Sequence, residues 1–192
     1  DSWLSNVALR QVLNDVGSEK DMKQALPYEQ GCVLNFLHYG SWDGYVPIVI
    51  WETPDPKETR PKNIYDVNMH KPVLAQHAAF ITRQNEGDAE WLREYFYNLQ
   101  AFVNNYKNHH RHKATGLYYW QTDVAIGVDN DPCTFFRPPK SSGSIYLNCL
   151  MYKELLSMVY LAEQLNQQAI GEEFAEDAKK LKTAIQEHCW DE

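Results

Sequence analysis

Six stretches of this 192-residue chain repeat apolar side chains at helical spacing, and none alternates like a strand over more than five residues. Helix is thereby the dominant element, and an all-α fold is expected. Residues 2–16 gather Leu4, Val7, Ala8, Val12 and Val16 near one face, and residues 26–38 gather Cys32, Val33, Phe36 and Leu37. From Pro72 the pattern resumes with Leu74, His77, Ala78 and Ile81. It breaks at Asn85-Glu86-Gly87-Asp88, where Asp88 can cap a further helix carrying Leu92, Tyr95, Phe96, Leu99, Phe102, Val103 and Tyr106. A last pair spans 145–165, with Leu147, Met151, Leu155, Met158, Ala162 and Leu165, and 173–188, with Phe174, Ala178, Leu181 and Ile185.

The joints alternate in length. Inside a pair they run to about four to seven residues, whereas the segments 39–71 and 107–144 between pairs are far longer than ordinary connections. Structureless segments of that length in a compact domain usually carry function. In a stack or ring of helical hairpins the short joints collect at one end and the long segments at the other, so the chemistry is expected at the long-segment end.

A net charge of -8 without clustered Lys or Arg gives no footing for nucleic acid or anionic lipid. No run approaches the roughly 18 uninterrupted apolar residues of a spanning helix, so neither nucleic acid nor a membrane is expected as a partner. Residue 1 opens no basic-then-apolar leader, and the compartment is left open. The four cysteines, Cys32, Cys133, Cys149 and Cys189, form no C-x-x-C pair and read as free structural thiols. No metal or other cofactor is expected.

The first long segment, YGSWDGYVPIVIWETPDPKETRP, sets Trp42, Asp43, Tyr45 and Trp51 among four prolines. Aromatic faces pack against the C–H faces of a pyranose and carboxylates accept from its hydroxyls, which suits a sugar. The same residues also suit a proline-stiffened turn whose indoles plug the core. The second long segment contains GVDNDPCTFFRPP, residues 127–139. It reads either as a surface turn or as a general acid, Asp129, kept protonated by the low-dielectric wall of Phe135 and Phe136. Asp123, Asp129 and Asp131 lack the later bidentate Glu of a calcium loop. His109, His110 and His112 read as a wet helix end, where cations complement the dipole. Ser141-Ser142-Gly143-Ser144 lacks the Lys and glycine spacing of a phosphate loop and reads as a helix entry capped by Ser144. No G-x-S-x-G elbow or cysteine nucleophile signature points to acyl transfer.

Taken in order, several segments resemble one family. Asp1-Ser2-Trp3-Leu4 is similar to the tail of a Trp-Asp-Ser-aromatic motif, Asp43-Gly44-Tyr45-Val46-Pro47 to an Asp-Gly-Phe-Ile-Pro turn, and Lys71-Pro72-Val73-Leu74 to a Gln-Pro-Pro-Leu helix entry. Gly127-Val128-Asp129-Asn130-Asp131-Pro132 resembles Gly-Met-Asp-Asn-Ser-Pro, and Leu147-Asn148-Cys149-Leu150-Met151-Tyr152 resembles a Leu/Val-Asn-Ala-Leu-Leu-Tyr helix opening. These motifs belong to inverting glycosidases on an (α/α)6 toroid: glycoside hydrolase family 63 with the related mannosylglycerate and glucosylglycerate hydrolases. The sequence departs from them at Val124-Ala125-Ile126, where Trp-Glu-Ser is usual, at Lys71 for Gln, and at Ile48 for a basic residue or His. The calcium loop of some members has no counterpart in NHHRHKATG.

The resemblance implies helical hairpins forming part of an (α/α)6 toroid, with residues 1–192 a single, incomplete catalytic domain. It implies that Asp129 is the general acid and that the base is a Glu outside this chain; Asp43 and Glu52 are the stand-ins the chain itself offers. Asp1, Trp3, Trp42, Asp43, Lys71, Trp120 and Asn130 are then the substrate contacts, and the partners are an oligosaccharide or small glycoside and the remainder of the toroid. The rival readings are a non-catalytic carbohydrate-binding or helical interaction protein on the same fold, and a lyase or epimerase using His70, His77 or Tyr65 as base.

Overall fold

The computed structural model describes residues 2–50, 69–126, 128 and 131–190. Within them the helices are α1 (Ser2–Val16), α2 (Glu19–His38), α3 (Leu74–Gln84), α4 (Phe96–His109), α5 (Asp123–Ile126), α6 (Ile145–Gln164) and α7 (Gln168–His188), and a 3-10 turn at Glu90–Tyr95 leads into α4. Two isolated bridges, Pro47 with Met69 and Arg111 with Tyr118, are the extent of β pairing among the described residues. None of the described helices is long and apolar enough to cross a membrane.

Two helices start earlier than their periodicity suggests. Ser18 Oγ accepts from Asp21 N (3.2 Å) while the Asp21 carboxylate accepts from Ser18 N (2.9 Å), a reciprocal box that starts α2 at Glu19. Pro27, a residue that usually opens helices, therefore lies inside α2. α7 begins at Gln168, because Asn166 turns the chain with φ 58° and Gln167 N donates to Ala162 O at 2.8 Å.

α3 lies against α2 on one side and α6 on the other, and α6 also packs on α4 and α7. Most of α3 is buried, including Leu74, Ala75, Ala78, Ala79 and Ile81. α6 contributes Leu147, Met151, Leu155, Met158, Leu161 and Ala162 to the same core.

The joint between α3 and α6 is polar. Glu154 of α6 is fully buried, and its two oxygens accept from Ala75 N (2.8 Å) and Gln76 N (3.1 Å), amides that the first turn of α3 leaves without helical acceptors. Gln76 Nε2 then donates to Pro72 O (2.8 Å) and Leu150 O (3.1 Å), closing the joint from the other direction.

α1 reverses the expectation drawn from its apolar residues. Leu4, Val12 and Val16 are exposed, Val7 is at the surface too, and the buried positions are Asn6 and Arg10. The reason is that the partners waiting on α2 and α3 are polar. Arg10 pairs with buried Glu29, and Asn6 Nδ2 donates to His77 Nε2 (2.8 Å) and Glu29 O (3.4 Å).

Truncating Glu154→Ala removes the acceptor for two buried amides and is expected to destabilise the fold by roughly 2–6 kcal/mol, about 1–3 for each orphaned donor. Urea denaturation followed by circular dichroism measures it, with Glu154→Gln, which retains one acceptor, expected to lose less.

Candidate functional site

The C-termini of α2 and α4 and the N-termini of α3 and α6 carry the two long segments. The first segment is fixed at both described ends. His70 N donates to Val46 O (2.8 Å) beside the Pro47–Met69 bridge, and Tyr106 Oη of α4 donates to His70 O (2.8 Å). The turn at Gly44 has φ 82°, and a Cβ there would lie 2.0 Å from Ala101 O, so only glycine lets it rest on α4. Asn105 Nδ2 secures the turn by donating to Asp43 O (2.9 Å).

The second segment hangs from α6. Asn148 Oδ1 accepts from Tyr118 N (2.7 Å) and its Nδ2 donates to Tyr118 O (3.0 Å) and Ser144 O (2.8 Å). One side-chain amide thus serves as the strand partner that Tyr118 would otherwise need. Farther along, Asp131 Oδ1 accepts from Cys133 N (2.7 Å) and Asp131 O accepts from Phe135 N (2.7 Å), so this carboxylate builds a turn.

Of the expected site residues, Asp1, Asp129 and Asn130 lie outside the described residues, as do Trp51, Glu52 and Tyr65. Trp42 and Asp43 share the turn that follows α2, and the bond between Val46 and His70 ties the residue before Lys71 to the segment leaving that turn. Trp42 is 91% exposed, a free ring face at this end of the molecule. The Asp43 carboxylate accepts from Ser41 Oγ and from Tyr45 N (3.3 Å), which holds it in the turn. Lys71 is half-buried, and that burial lowers its ammonium pKa.

Trp3 and Trp120 sit elsewhere. Trp3 packs on α3, its ring 5.1 Å from His77 and 5.3 Å from Phe80. Trp120 is buried, 6.1 Å from the Tyr146 ring, with no hydrogen-bond partner for Nε1 among the described residues. It lines a small hollow with Thr134, Arg137, Pro138, Ser141 and Ser142.

Three expectations for the second segment change. Phe135 and Phe136 stack on each other at 4.0 Å, but Phe136 is 93% exposed, so they form no buried apolar wall. His110 is buried against Tyr106 at 4.7 Å, unlike a residue at a wet helix end, while His109 and His112 remain at the surface. Ser144 occupies the N-cap position of α6 without a side-chain capping bond. All four cysteines are free, as read, with Cys133 and Cys149 exposed.

The histidines proposed as alternative bases are packing residues. His70 lies 4.4 Å from Phe36 and donates through Nδ1 to Lys71 O (2.8 Å), and burial pushes it down to about 4. Burial does the same to His77 and His110. Glu154 moves the other way: burial raises it to about 7 against the pull of the Ala75 and Gln76 amides. Among the described residues no group of three or more His, Cys, Asp or Glu is placed to hold a metal ion.

In the sequence Asn148 stands out only within a helix-opening motif, and Glu154, Asn105 and Gln76 do not stand out, although these four hold the segments in place. Their signal was a polar residue at a core position of an apolar helix pattern.

These shifts fix the sign of the pH response. Unfolding between about pH 6.5 and 4.5 takes up as many as three protons at the histidines and releases one at Glu154, so stability falls as pH falls. The slope is expected to reach roughly 1.4 kcal/mol per pH unit for each net proton. Urea midpoints at pH 5, 6 and 7 test this, and His77→Gln should flatten the dependence.

The family model described as the Mannosylglycerate hydrolase MGH1-like glycoside hydrolase domain matches residues 32–192, a span that includes both long segments. No curated protein and no solved structure matches the chain.

Proposed function

The chain belongs to the MGH1-like glycoside hydrolase family, and from that premise we propose that it cleaves an α-linked glucoside or a related small glycoside with inversion. The all-helical hairpin architecture is that of an (α/α)6 toroid glycosidase. What supports the finer reading is the resemblance of Gly127–Pro132 to a Gly-Met-Asp-Asn-Ser-Pro motif, which would make Asp129 the general acid, within the span the family model matches.

Inversion needs one carboxyl group to protonate the departing oxygen and a second, about 6.5–9.5 Å away, to activate water on the opposite face. Asp129 is the first in this reading, and the second is a Glu contributed from outside these 192 residues, the chain forming one part of the catalytic domain. Trp42 offers its exposed ring to a pyranose face. Asp1 and Asp43 accept from sugar hydroxyls, and Lys71 and Asn130 add polar contacts at the rim. Anchoring of the second segment through Asn148 supports the reading, because proton transfer requires a donor held within hydrogen-bond reach of the leaving oxygen.

Asp129→Asn in the full-length protein is expected to lower kcat about 10²–10⁴-fold on natural, poor-leaving-group substrates, with little change in KM. Intact turnover would remove Asp129 from the role. The anomer first formed, followed by proton NMR, should be inverted relative to substrate, and a retained anomer would overturn the proposed geometry. Trp42→Ala should instead act mainly on KM, raising it by roughly tenfold for the loss of about 1.4 kcal/mol of stacking.

A further inference from the structure

We propose that the cleft between the C-terminal end of α7 and the 112–119 turn binds a compact oxyanion, a phosphate or carboxylate group on a small ligand. The cleft has a volume of about 480 Å³, and Lys140, His112 and His188 enter it from three separate segments, with Leu117 and Tyr119 as walls. None of its lining residues among those described is acidic, in a chain whose net charge is -8.

The hydroxyl protons here are already committed. Ser141 Oγ donates to Pro138 O (2.6 Å) and Tyr119 Oη donates to His109 O (2.9 Å). The side-chain donors left in the lining among the described residues are the Lys140 ammonium and the two imidazoles. Thr115 Oγ1 lies 3.0 Å from His112 Nδ1 and orients that ring. Neither the Lys140 side chain nor that of His188 has a hydrogen-bond or carboxylate partner among the described residues.

Cations near helix C-termini often only complement the dipole. Two observations set this cluster apart. The last α4 carbonyl, His109 O, is already served by Tyr119 Oη and by Gln121 Nε2 (3.2 Å). Lys140 belongs to no helix and is held at φ 65°, a conformation that favours glycine, by its own N–H donating to Gln121 O (3.2 Å). Its ammonium is thus placed in the cleft by backbone that works against its own preference. A second cavity of equal volume at the α6–α7 turn is lined by Glu163 and Glu172 and has the opposite character. An ammonium in a concave wall focuses the field and raises local anion concentration, and imidazole N–H groups beside it add hydrogen-bond donors.

The test uses the full-length protein in low-salt, phosphate-free buffer at neutral pH, with the histidine Cε1–H signals followed by NMR. Inorganic phosphate and glycolate are titrated separately. The expected result is saturable movement of the His112 and His188 signals by at least one of them, with Kd on the order of 1 mM or below. The tighter of the two identifies the anion class. Lys140→Met should weaken binding at least tenfold, while Lys153→Met, on the exposed face of α6, should leave it unchanged. Should Lys140→Met fail to fold by circular dichroism, His188→Gln takes its place under the same criterion. Non-saturating shifts with both anions, or equal effects of the Lys140 and Lys153 substitutions, would overturn the site.

Discussion

The architecture turns on one fully buried carboxylate. Glu154 leaves water to serve two amides at the start of α3, and those amides offset part of the burial that raises its pKa to about 7. Its consequences spread outward. With the first turn of α3 seated on α6, Pro72 is held through Gln76, and Tyr106 reaches from α4 to fix His70. Lys71, between them, has its backbone position set by three helices.

The long segments follow the same principle with neutral groups. A loop that crosses a packed helix end buries peptide groups that need partners, and an amide side chain can serve a donor and an acceptor at once. Asn148 does this for Tyr118, and Asn105 supplies a donor to Asp43 O. Carboxylates at these positions would answer only donors and would carry charge into the interior. Asn6 shows the same economy at the α1 contact, where its single Nδ2 meets both His77 and Glu29.

The helices were legible because apolar periodicity is a direct image of burial, and α3, α4 and α6 bury the side chains their pattern selects. Boundaries were less so. The α2 start depends on the Ser18–Asp21 box, which lies upstream of the apolar stripe, and Pro27 misdirects the eye. α1 misled completely as to its inward face, because a stripe of valine and leucine says which side is apolar but not what stands opposite. At the site, the segments carrying Asp43 and Lys71 were linked only through motif order; what joins them is the Val46–His70 bond between residues far apart in sequence. The exposure of Phe136 and the burial of His110 were illegible for a simpler reason: in an irregular segment no period tells inside from outside.

α6 holds both anchors on a single rod. Asn148 and Glu154 are six positions apart, so the two attachment points are separated by about 9 Å along the axis. That spacing is set by backbone geometry, which is stiffer than any contact between side chains. The helix therefore acts as a ruler between the α3 entry and the segment downstream of Tyr118. Lengthening it by one residue would swing one anchor about 100° around the axis, so the two segments tolerate many substitutions along α6 but no insertion between the marks.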